Sequence, residues 1–359
     1  MPSGRVDMRS DCVTQPTDQM REAMRRAEVG AFLDHEDPTV ARLERLGAER
    51  FGKEAALFLP SVTMANLIAC LYYCRPGDRV LVDEDAHVYR NEVSGMTRLA
   101  GLMPHVVRRV GALPCLEEVA EALSYRSGGA PLITLLWLEN THNVGGGAVA
   151  HLPGVSALRQ LTATSGVPIH VDGARIFNAV VASGTTPAEL AADVDSISVG
   201  FTKGLSCPVG CLLVGSKALV EAGALLRRML GGRLLKAGIV AAACIVAMDS
   251  MMDGLAEDHA QARRLASAIE AIPGLRLNAS VTTNIVRFDT AQVGTSRQFA
   301  DGLTMQGVLV NIVGPTTIRA VLHRHITAEA LDRAIVAIRA VAGEIGTRET
   351  AVNEPRGRR

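Results

Sequence analysis

Residues 167–204 read VPIHVDGARIFNAVVASGTTPAELAADVDSISVGFTKG. PIHV is a short apolar run with Asp172 at its end, ARIFNAVVAS has helical spacing, and DSISVG is a second strand that delivers Thr202, Lys203 and Gly204. An acid and a lysine therefore leave the same edge of one sheet, the edge where open α/β sheets place their ligands.

Working outward, the same alternation runs for much of the chain. AALFLP precedes MANLIACLYYC, and RVLVD precedes a mixed segment with His87; LITLLWLEN, PIHVD, SISVG and CLLVG follow. Strands interleaved with helices predict an α/β fold with a mostly parallel sheet. Upstream, Val40, Leu43, Leu46 and Phe51 mark an apolar helical face, with Asp37 and Pro38 as start signals and Gly52 as the stop. Beyond Gly215 the pattern turns helical, and from Gly254 it reads as a smaller α+β domain. The expected divisions are an N-terminal arm over 1–30, a large cofactor-binding domain over 31–253, a small C-terminal domain over 254–346 and a disordered polar tail over 347–359.

The chain has 359 residues, 48% of them hydrophobic, enough for a substantial core. Lys plus Arg, 37, equals Asp plus Glu, 37, so nothing in the overall charge points to nucleic acid or an anionic membrane as a partner. Cys12, Cys70, Cys74, Cys115, Cys207, Cys211 and Cys244 show neither a C-x-x-C pair nor disulfide or zinc spacing, and read as small buried thiols. No apolar run approaches the roughly twenty residues of a membrane span, and the first residues lack the apolar core of a signal peptide; the expectation is a cytoplasmic protein with no metal.

Several residues carry candidate chemistry. Lys203 lies among Thr202, Gly204 and Ser206, a setting for a Schiff-base lysine; a solvated lysine at a strand end fits the pattern too. Asp172 suits an acid that keeps a pyridinium protonated, or equally an N-cap for a helix beginning near Ala174. Ser61, Val62 and Thr63 open a helix directly after a strand, where backbone N–H groups can hold a phosphate, although capping alone accounts for the hydroxyls. His87 and His142 follow strand-like runs and reach the same edge, as site residues or as ordinary structural histidines.

DMRSDC at 7–12, HEDPTVARLERLGAERFGK at 35–53, AHVYRNE at 86–92, LENTHN at 138–143, HVDGARIFNA at 170–179, TKGLSCPVGC at 202–211 and RRMLGG at 227–232 together resemble the low-specificity threonine aldolases. The resemblance runs from Val6 to Val341. It implies pyridoxal-phosphate fold type I, a homodimer or homotetramer with active sites at subunit interfaces, and an amino acid and an aldehyde as small-molecule partners. It further implies that Lys203 anchors pyridoxal 5'-phosphate, Asp172 pairs with the ring nitrogen, Arg175 lies near the ring hydroxyl and phosphate, and His87 stacks on the ring. His142 is implied near the substrate's β-hydroxyl, Ser10 and Arg319 at its carboxylate, and Ser61, Val62 and Thr63 at the phosphate.

Departures from the family pattern are concentrated. Val62 replaces a glycine of the phosphate turn. Leu235 stands where an arginine of a neighbouring subunit commonly reaches the phosphate, with Arg233 and Lys236 as possible substitutes. Ala31, Phe32, Leu33, Asp34, His35, Asn91 and Val144 occupy positions on the substrate side. The resulting expectation is a pyridoxal-phosphate-dependent carbon–carbon lyase acting on a β-hydroxy-α-amino acid, with an altered substrate. The alternatives are a racemase, transaldolase or β-eliminating lyase on this scaffold, or a non-catalytic scaffold with weakened cofactor binding.

Overall fold

The computed structural model describes residues 4–30, 36–92, 94–124 and 132–353. Contacts divide the chain into two units: Gln15 to Asp253, and the residues up to Thr14 joined with those from Gly254. Ala31 to His35 lie outside the described residues.

The larger unit is built on seven strands, β1 Ala55–Leu59, β2 Arg79–Asp83, β3 Met103–Val107, β4 Ile133–Glu139, β5 Ile169–Gly173, β6 Ser196–Gly200 and β7 Cys211–Gly215. Their order across the sheet is β1-β7-β6-β5-β4-β2-β3. β7 runs antiparallel to β1 and β6, and every other pairing is parallel. The exception has a simple cause: the connection Phe201 to Gly210 is shorter than the dozen or so residues a parallel crossover needs. β5, β6 and β7 are buried at every position; β7, CLLVG, is a continuous apolar run, whereas IHVDG and SISVG alternate apolar residues with buried polar ones, and His170 of β5 bonds to Ser196 and Ser198 of β6.

Local chemistry sets the helices. Asp37 caps Pro38–Phe51 by accepting from the N–H groups of Thr39 and Val40, and Gly52 ends it in the left-handed region at φ 59°. Ser61 caps Val62–Tyr73 by accepting from the Met64 N–H. Phe51, Phe177 and Phe201 form a buried aromatic run with centroid separations of 5.9 and 6.2 Å. Phe201 immediately precedes Thr202 and Lys203, so this packing steadies the strand end that carries the lysine.

The smaller unit holds an antiparallel sheet of β8 Arg276–Leu277, β9 Ile285–Asp289, β10 Asn311–Ile312 and β11 Thr317–Val321, in the order β8-β9-β11-β10. Helices Gly254–Glu270, Ser296–Met305 and Ala328–Asn353 accompany it, and Leu265, Phe288, Phe299, Leu331 and Ile338 fill its core.

Two sequence expectations change here. The arm expected over 1–30 is not one piece: Val6–Asp7 pairs with Val308–Leu309 in the smaller unit, whereas Asp18–Arg26 packs with Gly238–Ser250 in the larger. Backbone pairing captures the first segment and burial of Met20 the second. The final helix reaches Asn353, so residues 347–353 are helical where a tail was expected; TRETAVN contains no Gly or Pro, and Pro355 is the first breaker after it. Residues 354–359 lie outside the described residues. All seven cysteines are unpaired, Cys12 alone of them exposed, and among the described residues no single helix is long and apolar enough to cross a membrane.

Phe177→Ala removes the middle ring of the aromatic run and is expected to destabilise the larger unit by about 3–5 kcal/mol, measured by denaturant unfolding.

Candidate active site at the carboxyl edge of the large sheet

Parallel strands deliver their last residues to one edge. Asp83 ends β2, Glu139 ends β4, Asp172 is next to last in β5, and Lys203 follows β6. Asp172 is 2% exposed; its Oδ1 accepts the Ala174 N–H at 3.0 Å and its Oδ2 accepts Asn66 Nδ2–H at 2.9 Å. The following helix is Ile176–Ser183 with Arg175 at its N-cap, so Asp172 does not cap it. Lys203 is half-buried in a tight turn: the Ser206 N–H donates to the Lys203 carbonyl at 2.8 Å, and the Cys207 N–H to the Phe201 carbonyl at 3.0 Å. Ser206 takes φ 62° to close this turn.

A polar group surrounds His87. Its Nδ1 lies 2.7 Å from Glu92 Oε1, which also accepts from Thr63 Oγ1 at 3.2 Å. Glu92 Oε2 accepts from Asn66 Nδ2 at 3.3 Å, so one amide NH2 bridges the carboxylates of Glu92 and Asp172. The hydrogen bond to Glu92 pushes the His87 pKa upward, burial opposes it, and the charges of Asp172, Glu92 and Glu139 add to the rise. Glu139 accepts both the His87 N–H and the Asn143 N–H at 2.8 Å, tying two site loops to one carboxylate whose own pKa burial raises. Thr63, Leu67, Cys70, His87, Asn91 and Glu92 help to line a cavity of about 410 Å³. The ligand atoms of His87, Glu92 and Asp172 lie within 4.8 Å of one another, close enough to hold a cation, but the 2.7 Å contact already commits His87 and Glu92 to each other.

His142 does not reach the open edge. It is fully buried, its Nδ1 accepts the Gly145 N–H at 3.0 Å, and its Nε2 donates to Asp83 at 3.2 Å, so both ring nitrogens are engaged. Arg175 is buried and donates to Asn143 Oδ1 at 3.3 Å. Ser10 and Arg319 belong to the smaller unit. Arg319 Nη2 donates to the Arg9 carbonyl at 3.4 Å, and Ser10 Oγ accepts from the Cys12 N–H at 3.2 Å.

The residues present fit pyridoxal phosphate. Val62 is the first residue of a regular helix, where no left-handed backbone is required, and its Cγ2 lies 3.1 Å from the Cβ position of Gly200, directed at β6. Its side chain therefore does not block the helix N-terminus, and the first N–H groups, those of Val62 and Thr63, remain for an anion. Ser206 Oγ and Thr141 Oγ1, on the two flanking loops, are buried with no hydrogen-bond partner among the described residues. Leu235 and Lys236 are exposed at the surface of this single chain.

This sheet order, with an acid next to last in β5, a lysine following β6 and a helix N-terminus fit for phosphate, defines the scaffold of pyridoxal-phosphate enzymes of fold type I. The family model described as beta-eliminating lyase matches residues 7–292, and the chain belongs to that family. It is 37% identical to low-specificity L-threonine aldolase 1 of Arabidopsis thaliana, over 90% of this chain and 92% of that protein. It is 36% identical to the low specificity L-threonine aldolase of Escherichia coli (strain K12), over 91% and 96%. Among solved structures, the Leishmania major threonine aldolase matches with a TM-score of 0.82 at 19% identity, covering 94% of this chain and 99% of that one. The Sphingomonas wittichii serine palmitoyltransferase matches at 0.75 and 19% identity, covering 96% and 88%.

Sequence pattern alone does not mark Asn66, Glu92, Glu139 or Asp83 as members of the site. Thr63 and Asn66 are spaced i,i+3 on one helix, which was the available signal that they share a face. His170 was also overlooked. It is fully buried beneath Asp172, bonded to Ser196 Oγ at 2.7 Å and Ser198 Oγ at 3.1 Å, and burial pushes its pKa down to about 3. A histidine depressed on folding binds its proton only when unfolded, so its contribution to stability is lost as pH falls below 6.5. His170→Gln is expected to flatten the decline of the thermal midpoint between about pH 6.5 and pH 4, measured by calorimetry.

Proposed function

We propose that this lyase cleaves or forms the Cα–Cβ bond of a β-hydroxy-α-amino acid resembling threonine or allo-threonine, with glycine and an aldehyde as the other side of the reaction. The observation that carries the reading is the hydrogen-bonded placement of His87 and Asp172 on the sheet edge that also carries Lys203. The names of the relatives support the substrate class.

Bound pyridoxal phosphate supplies an electron sink for the bonds at Cα. Lys203 contributes the amine that anchors it. Asp172, fixed by Ala174 and Asn66, presents a carboxylate to the protonated ring nitrogen. The N–H groups of Val62 and Thr63 take the phosphate. Ser10 and Arg319 are the carboxylate-binding pair. His87 is the group for the β-hydroxyl proton: Nδ1 is committed to Glu92, leaving Nε2 to accept. His142 has no nitrogen left for that role and holds Asp83.

The assembly belongs to the same reading. Leu225, Met229, Leu234, Leu235 and Ile239 are exposed around the end of one helix and the start of the next, an apolar surface of the kind covered by a second copy in a homodimer or homotetramer. Seven unpaired cysteines favour a reducing compartment such as the cytoplasm.

Purified protein with pyridoxal phosphate is expected to release aldehyde from threonine, allo-threonine or phenylserine. Racemised or β-eliminated products without aldehyde would overturn the reading. Because the His87 pKa is raised, cleavage should increase with pH through a midpoint above 6.5. His87→Asn is expected to lower kcat about 10²–10⁴-fold. His142→Ala should act mainly on stability, costing about 3–5 kcal/mol by leaving buried Asp83 without its side-chain partner and with the Asp85 N–H as its remaining donor. Light scattering should show a dissociated chain for the combined Leu225→Glu and Met229→Glu substitutions.

A further inference from the structure

Resting on the cofactor site just described, we propose that Glu92 is a positioning residue for it: its carboxylate fixes the His87 ring and, through Asn66, the carboxylate of Asp172, so that the two cofactor-facing groups act as one oriented unit. Glu92 touches neither substrate nor reacting atoms in this assignment.

The geometry is that of a hub. Glu92 is 9% exposed and its two oxygens receive three donors: His87 Nδ1 at 2.7 Å, Thr63 Oγ1 at 3.2 Å and Asn66 Nδ2 at 3.3 Å. The second N–H of the Asn66 amide goes to Asp172 at 2.9 Å. The His87 main-chain N–H is held separately by Glu139. Backbone and ring of His87 are thus restrained by different carboxylates on different segments.

The electrostatic consequence concerns Asp172. The acids brought to this edge are Asp83, Glu92, Glu139 and Asp172, and the cations are His87, Arg175 and Lys203. Asp83 is engaged by His142, and Glu139 by two backbone N–H groups. With Glu92 present, a protonated His87 has a 2.7 Å partner of its own. Without it, the nearest anion for His87 is Asp172, and an Asp172 drawn toward His87 is withdrawn from the ring nitrogen. An ordinary structural ion pair would stabilise the segment around residue 92 without altering how the cofactor is held. The two roles therefore separate experimentally.

The test uses the cofactor-loaded protein with histidine labelled for NMR, comparing wild type with Glu92→Gln and Glu92→Asp. The His87 titration midpoint is expected to fall by about one pH unit or more in Glu92→Gln, with Glu92→Asp between it and wild type. Cofactor dissociation, followed by absorbance at equilibrium, should weaken about tenfold or more in Glu92→Gln. In a His87→Asn background Glu92→Gln should cost less than it does alone, because the His87 contact is already gone and only the route through Asn66 to Asp172 is left to lose. An unchanged midpoint and affinity in folded Glu92→Gln, or fully additive losses in the double variant, would overturn the assignment. A wild-type protein that forms no Lys203-dependent cofactor absorbance would instead remove the cofactor reading on which it rests, and the assignment with it.

Discussion

A buried carboxylate is tolerable only when its oxygens are satisfied, and the large unit is arranged around meeting that demand for Asp172. One oxygen takes the N–H of Ala174 from its own turn, and the other needs a donor from outside the strand. That donor is Asn66, so the helix Val62–Tyr73 must lie against the sheet with Asn66 facing β5. The same helix opens with Ser61, Val62 and Thr63. Packing that satisfies the acid proposed for the ring nitrogen thus also sets the position of the helix N-terminus proposed for the phosphate.

The remaining charges at this edge are kept distinct by giving each its own partners. Asp83 is matched to His142, Glu139 to two backbone N–H groups, and Glu92 to His87, Thr63 and Asn66. Burial and the charge of Asp172 raise the Glu139 pKa, and its two backbone N–H donors oppose that rise. In the proposed reading, these dedicated donors leave Asp172 as the anion for the ring nitrogen. His142 and His87 sit in comparable sequence contexts yet have opposite fates, one sealed against Asp83 and the other half-exposed beside a cavity.

Fold class and the acid–lysine pair were legible because both depend on local sequence: period, strand length and the residue at each strand end. The full burial of IHVDG and SISVG was not legible, because their alternating polar residues read as strands with one solvated face. The direction of β7 was not legible from CLLVG itself but follows from the short connection before it. The partner of His142 was hidden because it comes from a position distant in sequence, Asp83 being 59 residues away, whereas Glu92 lies in the same segment AHVYRNE as His87 and is marked as its partner only by the fold of that segment. Val62 illustrates the converse. A departure from a motif suggested a damaged phosphate turn, whereas the three-dimensional packing turns the extra methyl groups toward Gly200 and leaves the backbone helical.

The turn that carries Lys203 is fastened to itself. The Phe201 N–H bonds to the Gly210 carbonyl, and the Phe201 carbonyl receives the Cys207 N–H, so one aromatic residue locks the loop at its entry and near its exit. The ring of that residue is in turn buried against Phe177. A loop closed in this way has a fixed length: inserting or deleting a residue between Lys203 and Gly210 breaks a hydrogen bond or moves the lysine off the edge.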